Sequence, residues 1–396
     1  INSPRLQVKS NEQADALPEQ SVRLNLFPDA EFTAILDRIE NNASGSQSWV
    51  GHLEGVDLSQ AVFVTDSGMT VGNISMPGAF YQVRYVDEGV HVVHQIDHSK
   101  FPAELVPKIP PTNVVPDTSP SAPDAGAMSD DGSTVDVMVV YTNGARAAVG
   151  GASAMSLLID LAITESNAGY ANSGVNHRLR LVHKTEVTYA ERSFNTDLNG
   201  ITNGSGAFSG VAALRNQYGA DEVVLIINNS SSCGLAWLMT TVSTSFAPSA
   251  FSVVHHSCAT GYYSFAHEIG HNMGARHDRY EDSADTPALP TAHGFVNLTQ
   301  GWRTIMAYSN SQCAGGYCTR IQYWSNPDIA APSPYSGAVG IAAGSVNSAD
   351  NRTALNATAL TVANFRTAVA STTTSTTSTS FAGTYTTTGL TIHLAQ

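Results

Sequence analysis

The sequence is poor in basic residues and in cysteine, and it lacks long apolar runs. Among 396 residues, 19 Lys and Arg stand against 33 Asp and Glu, which gives a formal net charge of −14. Such a surface repels phosphate backbones and anionic lipid, so we expect neither nucleic acid nor a membrane as a partner. No stretch approaches the roughly 18 uninterrupted apolar residues that cross a bilayer. The chain also begins without a charged and then apolar leader, so we expect that a secretion signal, if there was one, has already been removed.

Only four cysteines are present, and all of them lie in the central part of the chain: Cys233, Cys258, Cys313 and Cys318. Four cysteines permit three pairings. Proximity in sequence favours Cys313 with Cys318, which leaves Cys233 for Cys258. The alternative is four free thiols in a reducing compartment, while zinc ligation is disfavoured because the spacing is not that of a zinc ribbon. Since no cysteine precedes Cys233, the N-terminal part of the chain cannot supply a thiolate to a metal.

Composition divides the chain into four parts. Its 42% hydrophobic content is that of an ordinary globular protein, and its length is sufficient for two domains. Residues 1–106 are expected to form a small β-rich domain. Residues 107–133 contain six prolines among Ser, Thr, Asp, Gly and Ala, so we interpret them as an extended, protease-accessible linker. A second domain follows at 134–368, and residues 369–396 form a Ser/Thr-rich tail.

In the first domain, alternating polar and apolar residues predict half-buried strands. These strands are expected at Ser21–Phe27, Ala61–Thr65, Ala79–Val86 and Val90–Ile96. Between the first strand and the others, Asp29–Asn41 is expected to form one helix. No catalytic constellation is visible in this domain.

In the second domain, helices alternate with strands, which predicts a mixed sheet packed against two long helices. Strands are predicted at Val135–Tyr141, Arg178–Val182, Glu186–Tyr189, Val223–Ile227 and Phe251–His255. Helices are predicted over 154–172 and 211–218. The last of these strands is expected at the edge of the sheet.

The run from His267 to His277, HEIGHNMGARH, fits the pattern H-E-x-x-H-x-x-G-x-x-H at every fixed position. Residues four apart lie on one face of a helix, so His267 and His271 can offer two imidazole nitrogens to one zinc ion, with Glu268 beside them. Gly274 can take a positive φ and turn the chain sharply, which returns His277 as a third ligand. Three nitrogens leave one coordination position open, which is typical of catalytic rather than structural zinc.

Downstream of this motif, Met306 lies in the run Trp302–Tyr308, WRTIMAY. A methionine turn after the three histidines is the second part of the metzincin signature, and the second domain resembles a metzincin endopeptidase. Asp278 is similar to the residue that follows the third histidine in adamalysins (reprolysins), whereas Tyr308 resembles the tyrosine of astacins and serralysins. With the loop at 313–327, the chain looks most like the secreted bacterial peptidyl-Asp metalloendopeptidases and their reprolysin-like relatives.

The resemblance implies a mixed α/β or α+β fold: a twisted, mostly parallel sheet, an active-site helix and a smaller C-terminal subdomain, preceded by the β-rich prodomain. It implies one catalytic Zn²⁺, and the residues give no prediction about calcium. Glu268 would accept a proton from water and pass it to the leaving amine. Tyr308 would donate a hydrogen bond to the developing oxyanion, and Met306 would be a packing floor. The simpler alternative is that Tyr308 and Met306 are ordinary core residues.

The resemblance also implies a substrate preference, namely cleavage of proteins or peptides on the amino side of aspartate. Such a preference requires a cationic group in the S1′ pocket, which binds the side chain just after the scissile bond. Arg320 and Arg303 are the candidates, and each could instead be a surface or structural arginine.

The first domain and its linker then suit a propeptide that inhibits its own enzyme within the chain. We expect Asp97 or His98, just before the linker, to take the place of the water at the metal, and the alternative is purely steric inhibition. The protein is expected to be monomeric.

Two other functions fit the same residues. A binding or adhesion protein could keep the metzincin scaffold without proteolysis, but it would have no need of Glu268. A peptidoglycan amidase could use similar chemistry, although the long chain-binding scaffold favours protein substrates.

Overall fold

The computed structural model describes residues 21–87, 89–111, 130–369 and 393–394. Most of the predicted linker and most of the Ser/Thr-rich tail lie outside these ranges. None of the helices in these ranges has the length and apolar character needed to cross a membrane.

An antiparallel sheet forms the N-terminal part of the molecule, and its strands pair in the order in which they occur in the sequence. The seven strands are β1 (Ser21–Phe27), β2 (Ala30–Asn41), β3 (Gln47–Leu53), β4 (Gln60–Asp66), β5 (Met69–Met76), β6 (Ala79–Asp87) and β7 (Val90–Gln95). A two-residue strand at His393–Leu394 (β18) pairs with β7 in parallel. The four predicted strands are confirmed, and β3 and β5 are additional.

The predicted helix at Asp29–Asn41 is wrong, because these residues form β2. A two-residue turn at Pro28 and Asp29 joins β1 to β2 as a hairpin, with Leu24 opposite Phe32. On its other side, β2 pairs along most of its length with β3. The apolar spacing in this segment suits either structure locally, so pairing on both sides of β2 decides the outcome.

The second sheet has five strands in the order β11-β12-β10-β8-β9. Their bounds are β8 (Thr134–Thr142), β9 (Arg178–Val187), β10 (Glu222–Ile227), β11 (Gly234–Ala236) and β12 (Phe251–His255). All pairs are parallel except β11 with β12. Every residue of the central strand β10 is buried, as expected for a parallel strand covered on both faces.

Two predictions about this sheet are corrected. The strand β12 does not lie at the edge, because Gly234–Ala236 pairs with its outer side. The two strands predicted at Arg178–Val182 and Glu186–Tyr189 are one continuous strand, β9, which reaches Val187.

Seven helices occur in the described part of the chain: α1 (Asn143–Ala148), α2 (Ala152–Asn172), α3 (Phe194–Thr202), α4 (Val211–Gln217), α5 (His256–Ala259), α6 (Ser264–Asn272) and α7 (Asn351–Val362). Short strands follow α6 at Val296–Asn297 (β13), Trp302–Arg303 (β14), Thr319–Arg320 (β15), Asn326–Ala330 (β16) and Ala338–Val339 (β17). The predicted helices over 154–172 and 211–218 are confirmed as α2 and α4.

The helix α2 connects the two halves of the molecule. Its Leu157 and Leu161 pack into an apolar cluster with valines of β3, β4 and β5. Beside this cluster, Asp160 accepts hydrogen bonds from Ser44 and Ser46, which lie in the turn between β2 and β3. The N-terminal sheet therefore lies against the C-terminal half through both apolar and polar contacts, and the chain that leaves it at β7 is directed towards α6.

Candidate active site

The helix α6 carries the first two histidines of the motif, and all of its residues are buried. His267 and His271 lie one turn apart on the same face, as predicted from their spacing. Gly274 has φ +88°, and a Cβ at this position would lie 2.7 Å from Leu289 Cδ1, so both the conformation and the space require glycine. The turn at Gly274 brings His277 back towards the helix.

The three imidazoles converge on a common point. Nε2 of His277 lies 3.1 Å from Nε2 of His267 and 3.1 Å from Nε2 of His271. Nδ1 of His267 lies 2.8 Å from the carbonyl of Ile305, and Nδ1 of His271 lies 2.8 Å from that of Ala275. Because a carbonyl can only accept, these Nδ1 atoms carry the protons, and the Nε2 lone pairs point inward.

This arrangement fits a zinc-sized ion. A tetrahedral ion about 2.05 Å from each nitrogen would separate neighbouring nitrogens by about 3.3 Å, close to the observed spacing. Burial lowers the pKa of His267 to about 4, and it lowers the pKa of His271 and His277 as well, so all three are neutral and able to ligate. In the described part of the chain they are the one group of His, Cys, Asp and Glu close enough to hold a metal.

Glu268 follows the first histidine and has a fully buried carboxylate. Neither oxygen has a hydrogen-bond partner among the described residues. Burial raises the pKa of Glu268, and the nearby Glu104 raises it further. Room for this side chain depends on Gly234 in β11, since a Cβ there would lie only 2.2 Å from Glu268 Oε1. Sequence reasoning missed Gly234, because nothing near it in sequence indicates that it faces Glu268.

Met306 is fully buried against the same helix. A Cβ on Gly270 of α6 would come within 3.0 Å of Met306 Sδ and 2.7 Å of the Trp324 ring. The absence of a side chain at Gly270 therefore lets both residues pack closely against the helix that bears the histidines.

Tyr308 lies at the histidines, with its ring centroid 4.1 Å from that of His277 and 6.4 Å from that of His267. Its hydroxyl donates a hydrogen bond to the carbonyl of Glu104 at 2.5 Å. Burial raises the pKa of Tyr308, so the phenol keeps its proton and remains a donor. The resemblance to metzincins implies a position near the metal for this tyrosine, and its role as an oxyanion donor stays a prediction.

A profile of Metallo-peptidase family M12 (Reprolysin_5) matches residues 131–325. The chain is 38% identical over 355 residues to the peptidyl-Asp metalloendopeptidase of Xanthomonas campestris pv. campestris, with 84% of this chain and 79% of that protein covered. It is also 38% identical over 359 residues to the peptidyl-Asp metalloendopeptidase of Stenotrophomonas maltophilia, with 84% and 80% covered. The chain belongs to the M12 metallopeptidases. The resemblance found in the sequence is thereby confirmed.

The two arginines considered for the S1′ pocket of this M12 metallopeptidase have different surroundings. Arg303 is buried, and its guanidinium donates to the carbonyls of Cys318 and Ala307 and to the hydroxyl of Tyr262. Within the described ranges it has no carboxylate partner. Arg320 is equally buried, but it forms an ion pair with Glu104, 2.6 Å between Nη1 and Oε1.

Neither Asp97 nor His98 joins the three histidines that could hold the metal. The exposed Asp97 carboxylate caps a short helical turn by accepting from the Ser99 N–H at 2.9 Å. The His98 ring packs against Phe101 and Tyr262 instead. The residue of the N-terminal part that reaches the active site is Glu104, which sequence reasoning missed because a single glutamate before a proline-rich stretch carries no distinguishing pattern.

Both disulfides predicted from proximity are present in the M12 metallopeptidase. Cys233 pairs with Cys258, and Cys313 pairs with Cys318. The first fixes the residue before the edge strand β11 to helix α5, and the second closes the loop that precedes Arg320. No free cysteine occurs among the described residues.

Proposed function

We propose that this M12 metallopeptidase is a secreted zinc endopeptidase of the metzincin clan, in its zymogen form, that cleaves proteins on the amino side of aspartate. The observation that carries the proposal is the convergence of three imidazole nitrogens, with a buried Glu268 carboxylate on α6 that has no hydrogen-bond partner among the described residues. The names of the two relatives support the preference for aspartate.

His267, His271 and His277 would hold the zinc ion. When bound there, zinc supplies a Lewis acid for the scissile carbonyl and lowers the pKa of water to about 7. Glu268 accepts the proton of the attacking water and delivers it to the leaving amine. Tyr308 donates its hydroxyl proton in a hydrogen bond to the oxyanion, which contributes about 3 kcal/mol if it acts as other such donors do. Met306 and Trp324 pack against α6 at Gly270 and support the helix that carries His267 and His271.

The domain boundaries belong to the proposal. Residues 1–106 are the propeptide domain, 107–133 the linker that contains the processing region, 134–368 the catalytic domain and 369–396 the tail. The mostly parallel sheet and the helix α6 support the metzincin assignment, and the short strands after His277 would form the smaller C-terminal subdomain.

Latency follows from residues 103–108, which we call the crossing segment. It passes over the active site, and Tyr308 already donates its hydroxyl to the carbonyl of Glu104 in that segment. A substrate carbonyl could not use the same donor while the segment is in place. The propeptide therefore inhibits by occupying the site, without a thiolate and without Asp97 or His98 at the metal.

Hydrolysis of casein by the processed protein tests the proposed activity. We expect activity that a chelator abolishes, that zinc restores and that Glu268→Gln lacks. Peptide libraries should give aspartate just after the cleaved bond. Activity that survives Glu268→Gln contradicts the mechanism. Tight peptide binding without hydrolysis would favour the scaffold-only binding protein, and hydrolysis of peptidoglycan but not casein would favour the amidase.

A further inference from the structure

The crossing segment pairs with β11, which is an edge strand of the five-stranded sheet. The N–H groups of Leu105 and Lys108 donate to the carbonyls of Gly234 and Ala236, each at 2.9 Å. The carbonyl of Lys108 accepts in turn from Leu238 at 2.7 Å. The pairing is parallel, and it uses the edge strand β11 that lies beside Glu268. Addition of an extended peptide to an open sheet edge is a common mode of peptide recognition.

Within this segment, the Glu104 side chain enters a pocket built by the catalytic half of the chain. Its two carboxylate oxygens lie 2.6 and 2.9 Å from the two terminal nitrogens of Arg320, so the ion pair is bidentate. Ser264, at the start of α6, donates to the same carboxylate at 2.8 Å. The Glu104 and Arg320 side chains are 1% and 0% exposed.

The pocket is specific for an anion because of how Arg320 is held. Its guanidinium also donates to the carbonyl of Tyr262 at 2.7 Å and stacks over the Tyr262 ring at 4.4 Å. These contacts fix its orientation but supply no negative charge. Both terminal nitrogens of Arg320 remain directed at the carboxylate position, in the geometry of a bidentate pair, so the pocket favours an acidic side chain from the peptide that lies along β11.

The backbone of the segment differs from that of a substrate at one point. Cleavage on the amino side of an acidic residue requires that Tyr308 and the metal polarise the carbonyl of the preceding residue. In the crossing segment, Tyr308 instead contacts the carbonyl of Glu104 itself. The acidic side chain of Glu104 therefore lies in the pocket while the carbonyl of Ala103, which precedes it, is not the one that Tyr308 contacts. This explains how the segment can fill the site without being cut between Ala103 and Glu104.

We infer that Arg320 selects the acidic side chain of the substrate, and that the crossing segment is an internal pseudo-substrate whose Glu104 occupies the same pocket. The inference rests on the proposed function, because it takes the protein to be a peptidase that cleaves beside an acidic residue. Of the two candidate arginines, Arg320 is therefore the one that determines the substrate preference, since Arg303 donates only to carbonyl and hydroxyl oxygens among the described residues.

Variants of the full chain test the role of Glu104. In Glu104→Gln we expect the amides of Leu105 and Lys108 to exchange hydrogen about 30-fold faster or more, because one partner of a buried ion pair is removed. Glu104→Asp keeps the charge and should lose less protection, and Asp97→Asn, an exposed acid of the same region, should lose none. Wild-type protection in Glu104→Gln overturns the pseudo-substrate.

Peptide binding tests the role of Arg320 without requiring hydrolysis. The probes are two peptides that differ only by Asp or Asn, titrated into the zinc-loaded full chain carrying Glu104→Gln and Glu268→Gln. We expect the Asp peptide to bind about 30-fold more tightly or better, and we expect Arg320→Met to remove that difference. Equal binding of the two peptides overturns the assignment of Arg320. If the Asp peptide binds as expected but zinc-loaded Glu104→Gln cleaves nothing, the proposed function fails and this inference stands.

Discussion

The Asp278 carboxylate accepts a hydrogen bond from the backbone N–H of Tyr308 at 2.9 Å. Its other oxygen accepts from the N–H of Tyr280 at 3.0 Å. The residue directly after the third histidine therefore ties the loop that carries His277 to the turn that carries Met306 and Tyr308. One buried carboxylate positions the metal ligand and the oxyanion donor relative to each other.

Asp278→Asn should reduce kcat through Tyr308. The amide has one acceptor and one donor facing the N–H groups of Tyr308 and Tyr280, so one of the two hydrogen bonds is lost and the phenol shifts from its place. Tyr308→Phe alone should lower kcat about 100-fold with little change in KM, and adding Asp278→Asn to it should cost almost nothing further. Steady-state kinetics of the two single variants and the double variant give the answer. Fully additive losses would show that Asp278 acts independently of Tyr308.

Gly234→Ala should inactivate the enzyme without unfolding it. The added Cβ would lie 2.2 Å from Glu268 Oε1 and 2.7 Å from its Cγ, so the Glu268 side chain must move from its place. Displacement of the general base should lower kcat about 100-fold or more. Gly210→Ala is the matched control, because a Cβ there meets nothing within 4 Å. Equal activity of the two variants would mean that Glu268 tolerates the shift.

The histidine motif could be predicted from sequence because its geometry is local. His267 and His271 share one helix, and Gly274 needs only its own φ to return His277. Glu104 could not be predicted, since it meets Arg320 across 216 positions of sequence and only the parallel pairing of the crossing segment brings them together. Nothing in the sequence distinguishes Arg303 from Arg320 as the residue of the specificity pocket. Their different hydrogen-bond partners, which depend on tertiary packing, distinguish them.

The same reason explains the errors in the fold. The segment Asp29–Asn41 has apolar residues at spacings that suit a helix or a strand, and its neighbours β1 and β3 decide between the two. The strand β11 is three residues long, too short for any periodicity to predict it. Its position at the edge nevertheless determines where both the crossing segment and Glu268 lie.

Arg303→Met should weaken the fold but leave the choice of substrate unchanged. Its guanidinium donates to the carbonyls of Cys318 and Ala307, which then lose a buried partner. We expect a loss of about 3 kcal/mol, seen as a fall in Tm of about 10 °C. The ratio of kcat/KM for Asp over Asn peptides should equal that of the wild type. A fall in this ratio would assign Arg303 to the specificity pocket.

The docking of the crossing segment should weaken in mild acid because of His98. Burial first, and then the charges of Arg303 and Arg320, lower the pKa of His98 to about 3, while Asp97 acts in the opposite direction. A released histidine has a pKa of about 6.5. Between these values the docked state binds fewer protons, so docking is strongest above about pH 6.5 and weakens about tenfold for each unit below it.

Two other carboxylates do not disturb this test. Burial alone would raise the pKa of Glu104, but the Arg320 guanidinium holds that pKa well below its usual range, so Glu104 stays ionised at pH 5. Glu165 belongs to α2, burial raises its pKa to about 7, and it accepts a hydrogen bond from Asn73 of the N-terminal sheet. A local opening of the crossing segment leaves that contact intact.

His98→Phe isolates the effect, because it keeps a ring against Phe101 and Tyr262 and removes the titratable group. After correction for intrinsic exchange, protection of the Leu105 amide in the wild type should fall about 15-fold between pH 6.5 and pH 5, because half of the released His98 is already protonated at pH 6.5. In His98→Phe it should stay nearly constant over the same range. An equal fall in both proteins would assign the pH dependence to another group. A constant value in both would mean that the segment opens without releasing His98 from Phe101 and Tyr262.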